Sequence, residues 1–338
     1  MTESVTLRDG VVSRQRRGGR SALTLAAAAL LLMLSLPWWA DSGTTRSVVE
    51  FSCYLALASM WNLLAGYAGM VSIGQQAFLG VAAYAMFALA NHFGIDPFVA
   101  AVLCLLAPAL LAVPTYALLR RLEGPYFAIG TWVVAEVCRL AISNTEWLGS
   151  SSGMTLRAMQ KYSLEERQLG VLWLAALMLV LTVGGSYWLL RSRHGLALTA
   201  MRDNAVSAMS QGVDVERLRF LVFLGAAVGT GLVGAVYYLS ALRLSPNAGF
   251  DSNWIAIAIF MVMVGGIGTL EGPLIGAVLY FAADRLFASY GAGYMIVLGL
   301  LTLVVALYAR SGLWGATGGR LGWHWFPTRW WLQPRGAE

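Results

Sequence analysis

Ten apolar stretches, each long enough to cross a bilayer, alternate with short polar gaps along this chain. They fall near 21–39, 47–68, 76–92, 97–119, 125–143, 170–190, 219–241, 252–270, 273–288 and 292–309. A backbone crossing hydrocarbon must pair its own N–H and C=O groups, so each stretch predicts a helix. The fold class expected is an all-α polytopic integral membrane protein of about ten spans. Three regions follow: a tail at 1–20, a membrane domain at 21–309 and a tail at 310–338. No gap is long enough for a soluble catalytic or ligand-binding domain.

The polar gaps are unequal, and this orients the chain. Sixteen of the 23 basic residues lie in the gaps 1–20, 120–124 and 191–218, at the adjoining Arg219, or in 310–338. The remainder, among them Arg46, Arg157, Lys161 and Arg243, fall in gaps of the opposite parity or near the span ends facing them. The positive-inside rule puts the basic gaps and both tails in the cytoplasm, with 144–169 outside. The arginine-rich start before the run 21–36 resembles a secretory signal, but no small-residue cleavage site precedes Pro37-Trp38-Trp39. A retained first helix is expected, with Trp38 and Trp39 at the outer interface.

Composition adds less. The net charge of +6 sits largely on the cytoplasmic side, where anionic lipid is the default partner. No basic patch with interleaved aromatics suggests nucleic acid. Cys53, Cys104 and Cys138 lie inside spans and read as small apolar residues. His92, His194 and His324 have no cysteine or carboxylate at ligand spacing, so no metal site is expected. Gly229, Gly231 and Gly234 form a GxGxxG, but inside an apolar span, where close helix packing is the better reading than a dinucleotide fingerprint. With no GxxxxGK[ST] loop and no HExxH, the chain is expected to carry no ATPase or hydrolytic site and to bind no cofactor itself.

Polar residues inside spans are the candidates for a pathway. Glu136 and Arg139 lie three apart on one helix face; either charge alone in hydrocarbon costs roughly 2.5–3.5 kcal/mol on insertion scales. They are expected to face each other, another subunit or water, whether as a packing ion pair or as pathway groups. Asn62, Ser72, Gln75 and Gln76 surround the glycine-rich run 66–80, GYAGMVSIGQQAFLG. That run predicts a broken or re-entrant helix lining a cavity, or, more plainly, hydrogen bonding between helices.

In the basic gap 191–218, Leu198, Met201, Ala205, Ala208 and Met209 recur at helical spacing, with Arg202 and Asp203 on other faces and Gly212 at the stop. Such a helix suits a membrane surface or a groove on a partner.

Four stretches then resemble one family: GYAGMVSIGQQAFLGVAAY at 66–84, GPYFAIGTWVVAEVCRL at 124–140, RSRHGLALTAMRDNAVSAMSQGVDVERLRFLVF at 191–223 and MVMVGGIGTLEGPLIGAVL at 261–279. They resemble the membrane permease subunit of branched-chain amino acid ABC importers, of the type paired with a second, similar permease. The resemblance implies two cytoplasmic ATPase subunits holding ATP and Mg, a periplasmic binding protein and a bacterial inner-membrane location. It also implies a cytoplasmic coupling helix at 196–211. Where the family often has a leucine, glycine, histidine run, this chain has Ile73-Gly74-Gln75-Gln76. Branched-chain amino acids, urea and short amides stand as alternative solutes. An ion-coupled secondary transporter is the competing class, with only Glu136 and Asp284 as candidate coupling carboxylates.

Overall fold

The computed structural model describes residues 5–7, 10–13, 19–287, 292–308, 312–321, 326 and 331–334. Among the described residues, each of the ten apolar stretches is mostly helical. In chain order the helices are α1 (Gly19–Ser35), α2 (Ser42–Asn62), α3 (Gln76–His92), α4 (Pro97–Leu103), α5 (Leu106–Leu119) and α6 (Pro125–Ser143). They continue with α7 (Leu164–Leu179), α8 (Gly185–Arg191), α9 (Arg193–Asp203), α10 (Ala205–Ser210) and α11 (Val215–Ala241). The last are α12 (Pro246–Gly249), α13 (Asn253–Gly265), α14 (Glu271–Phe287), α15 (Ala292–Tyr308) and α16 (Gly312–Leu321).

Among the described residues, seven helices, not ten, are long and apolar enough to cross a membrane: Ser42–Tyr67, Pro97–Leu119, Pro125–Ser143, Leu164–Arg191, Val215–Ala241, Pro246–Gly265 and Ile296–Ala316. The shortfall is in α1, α3 and α14, of 17 residues each. At about 1.5 Å per residue, each is a few ångströms short of a hydrocarbon core about 30 Å thick. For α3 the reason is position. It is buried along most of its length, so protein rather than lipid surrounds it. The expected break at 291–292 falls at 288–291, which lie outside the described residues, as do parts of both tails, including Trp323, Trp325 and Trp330. Trp314 is buried, whereas Trp38 and Trp39 are exposed as the belt reading requires.

Local sequence explains the element ends. Asp41 caps α2 by accepting from the N–H groups of Gly43 and Thr44. Ser163 and Glu166 form a reciprocal capping box that starts α7 six residues before the apolar run at 170. Helix α2 is the hub, packed against α7, α11, α13 and α14. The glycines of α11 serve helix approach. A Cβ on Gly234 would stand 2.2 Å from the carbonyl oxygen of Leu79, so only glycine allows α3 this close. A dinucleotide has no room there. Short strands complete the chain: β1 (Val5–Leu7), β2 (Gly10–Ser13), β3 (Met154–Thr155), β4 (Arg243–Leu244) and β5 (Trp331–Pro334). Antiparallel pairing gives β1–β2–β5 and β3–β4.

Candidate functional site

Helix α2 does not end cleanly. It runs into one π-helical turn, Leu63–Tyr67, and then unwinds through residues 68–75 before α3 begins. Gly69, at φ +70°, turns the chain where a side chain would be strained. Side chains satisfy part of the unwound backbone. Trp61 Nε1 donates to the carbonyl of Ser72 at 2.7 Å, and the N–H of Ile73 donates to Thr131 Oγ1 at 3.2 Å. Ser72 Oγ accepts from the N–H of Gly74 at 3.3 Å. A Cβ on Gly74 would lie 1.9 Å from the carbonyl oxygen of Thr131, so the break lies flat against α6. The helix is broken where the glycine-rich run predicts it.

Two buried amides flank this break. Gln76 Nε2 donates to the carbonyl of Ile73 at 3.2 Å, but its Oε1 has no partner. Gln75 is fully buried, and among the described residues neither of its amide atoms meets a hydrogen-bonding group. An unpartnered buried amide costs about 1–3 kcal/mol, so it needs a compensating role or ligand.

Farther along α6, Arg139 Nε donates to both carboxylate oxygens of Glu136, at 3.1 and 3.0 Å. Arg139 Nη1 reaches Asn247 Oδ1 of α12 at 3.0 Å. The pair is not sealed in: the side chains of Arg139 and Glu136 keep 27 % and 42 % of their exposure. No hydrogen bond joins this pair to Gln75 or Gln76 among the described residues. Of the sequence candidates, the break and the ion pair therefore share one helix, α6, without touching. Thr131 and Asn247, which connect them to the rest, were not singled out from sequence. A lone threonine in an apolar span was the available signal for the first; nothing marked the second.

The basic gap 191–218 corrects the bounds of the expected coupling helix. Instead of one helix over 196–211, the chain forms α9 and α10, broken at Asn204, whose extended backbone and side-chain bond to the N–H of Ser207 cap α10. The apolar face also turns inward. Leu198, Met201 and Ala208 are buried in a hydrophobic cluster of this same chain, so they are not free to meet a partner. Ala205 is half-buried. What faces out is Leu196, Val206 and Met209, the last two 69 % and 53 % exposed, with exposed Asp203 and Gly212 nearby. The reason is simple: the spacing identified an apolar face, but the membrane domain itself covers it.

Arg202 points the same way. Its Nη1 donates to the carbonyl of Gly66 at 2.7 Å, while Nε and Nη2 hold Asp203 Oδ1 at 3.1 and 3.0 Å. Asn62, fully buried on α2, spans to a second break. Its Nδ2 donates to the carbonyl of Thr269 at 2.8 Å, and its Oδ1 accepts from the N–H of Gly268 at 2.9 Å. Asn62, a pathway candidate with Gln75 and Gln76, thus makes the hydrogen bonds between helices that the plainer reading of that run expects.

Residues 43–306 match the family model of the branched-chain amino acid transport system permease component. The chain is 26 % identical to the high-affinity branched-chain amino acid transport system permease protein LivM of Escherichia coli K12, over 85 % of this chain and 73 % of the relative. It is 23 % identical to a probable branched-chain amino acid transport permease protein, LivH, of Methanocaldococcus jannaschii, over 72 % and 83 %. It is also 23 % identical to the xylose transport system permease protein XylH of Escherichia coli K12, over 51 % and 50 %. With multiple apolar helices and a family match over most of its length, the chain belongs to the branched-chain amino acid transport system permease family and is a multi-pass membrane protein.

Proposed function

We propose that this chain is one of two similar permease subunits of an ATP-driven importer in a bacterial inner membrane. It would carry branched-chain amino acids or related small polar solutes inward. Two cytoplasmic ATPases, holding ATP and Mg, supply the energy, and a periplasmic binding protein delivers the solute. The observation that carries this reading is the α9–α10 hairpin. Its inner side is fixed to the breaks in the membrane helices, and its outer side leaves Leu196, Val206 and Met209 for a partner. A self-powered transporter has no need of such a piece. The ion-coupled alternative is less well supported, because its best carboxylate, Glu136, is already held by Arg139.

The arginine partition supports cytoplasmic tails, and the pairing of β2 with β5 supports both tails lying on one side. The test is purification of the tagged chain from its native membrane. Copurification with two ATPases, a second permease and a binding protein is expected, and the ligand of that binding protein identifies the solute class. Proton-driven uptake by this chain alone in vesicles would overturn the importer reading.

A further inference from the structure

The two breaks in the membrane helices are one mechanical unit, and one side chain ties that unit to the cytoplasmic hairpin. Gly66, in the π-helical turn of α2, and Gly268, in the turn between α13 and α14, are in backbone contact: a Cβ on Gly66 would lie 2.7 Å from the nitrogen of Gly268. Asn62 bridges the same two segments with a donor and an acceptor, so neither moves without the other. Arg202 lies across both. Its Nη1 is bonded to the Gly66 carbonyl and would lie 3.1 Å from a Cβ on Gly268, while its Cγ would lie 3.4 Å from one on Gly69. Gly69 and Gly268 have φ of +70° and +71°, so both turns hold conformations that L side chains rarely adopt.

We propose that Arg202 is a positioning residue that passes motion of the α9–α10 hairpin to both helix breaks at once. The proposal rests on the importer reading and assigns the joint within it. The guanidinium suits the task because its planar fork makes two kinds of bond in fixed relation. One arm donates to a carbonyl at the end of helix α2, where the last turn of a helix leaves carbonyls to be satisfied from outside it. The other side grips Asp203, on its own hairpin. Lysine offers a single charged point and reproduces one of these bonds, not their relative geometry.

A plainer role, capping α2, makes a different prediction. A cap acts on stability whatever the nucleotide state, whereas a joint acts on coupling between two moving parts. The test uses the purified complex in liposomes. Spin labels at Ser207 on the hairpin and Val71 in the first break are each measured against a label at Glu165, at the start of α7, after replacement of Cys53, Cys104 and Cys138. Distances are compared with and without ATP and vanadate. In the otherwise native chain both distances are expected to shift. With Arg202→Gln the hairpin shift persists and the shift at Val71 is lost. With Arg202→Lys the complex assembles and melts like the parent, yet ATP hydrolysed per solute imported rises about tenfold, within the 5–150-fold range of typical coupling energies. A Val71 shift of parental size in Arg202→Gln, or a parental transport ratio in Arg202→Lys, overturns the joint. If neither distance shifts in the parent complex, or no ATPase copurifies with it, the importer reading fails and the joint falls with it.

Discussion

Gln75 sets a side chain with two hydrogen-bonding atoms in a place where no described residue partners either. A leucine of similar size would carry no such cost, so the amide is suited to a moving ligand or water that meets it. Gln75→Leu should therefore leave the folded protein equally or more stable, by up to about 1–3 kcal/mol, while uptake of the copurifying binding protein's ligand falls. Thermal unfolding in detergent and vesicle uptake read the two effects separately; unchanged uptake removes Gln75 from the pathway. Glu136 and Arg139 pose the opposite case, charges already paired. Removing one leaves the other without its partner in a span, which is worse than removing both. Glu136→Gln and Arg139→Gln should each lower expression and uptake more than the double variant does. Strictly additive losses would mean that the pair acts as two independent residues.

At the scale of elements, the hairpin α9–α10 divides its apolar residues between two surfaces, and only the outer one is free. Val206→Glu and Met209→Glu, on that outer surface, should disrupt docking of an ATPase with little effect on the fold. Leu198→Glu should instead unfold the hairpin, since it places a charge in a sealed apolar cluster. ATPase copurification and the yield of inserted permease distinguish the two outcomes; normal copurification of Met209→Glu would clear this face of any role. Periodicity made the hairpin visible in the sequence, because burial and amphipathic spacing have the same 3.6-residue signature. It did not say which body covers the apolar face, since a partner's groove and the chain's own core demand the same residues. The break after Tyr67 was legible for a related reason. Gly66, Gly69 and Gly74 with polar neighbours are costly in an intact helix, so the run marks where the helix stops. The bonds that fill the gap, from Trp61 and Thr131, depend on contacts between distant spans, and no local pattern encodes those.

For the whole molecule, the polar clamps at the two ends of the membrane domain carry different information. At one end, Asp96 caps α4 through the N–H of Phe98 and binds Lys161 Nζ at 2.7 Å and the Tyr162 hydroxyl, pinning the 144–163 loop to the bundle. Burial by itself would raise the Asp96 carboxyl, but these bonds outweigh it and hold it at about 2, against an unfolded value near ~3.9. The folded value is the lower one. The clamp's contribution is therefore complete above about pH 4 and is lost as pH falls toward 2, so any pH dependence of transport near neutrality must come from elsewhere. In the arginine-rich gaps, the positive charge is spread over many residues, and the positive-inside rule reads it as acting on orientation rather than on any single contact. That partition makes the topology testable without a solute. Ser151, exposed on the loop clamped by Asp96, should lie outside, and Ser207, exposed on the hairpin, inside. With Cys53, Cys104 and Cys138 replaced, a membrane-impermeant thiol reagent added to intact cells should label Ser151→Cys and spare Ser207→Cys until the membrane is opened. Labelling in the reverse order would invert the molecule. The hairpin would then lie on the side without ATP, and the ATPase, the Arg202 joint and inward transport would all lose their basis together.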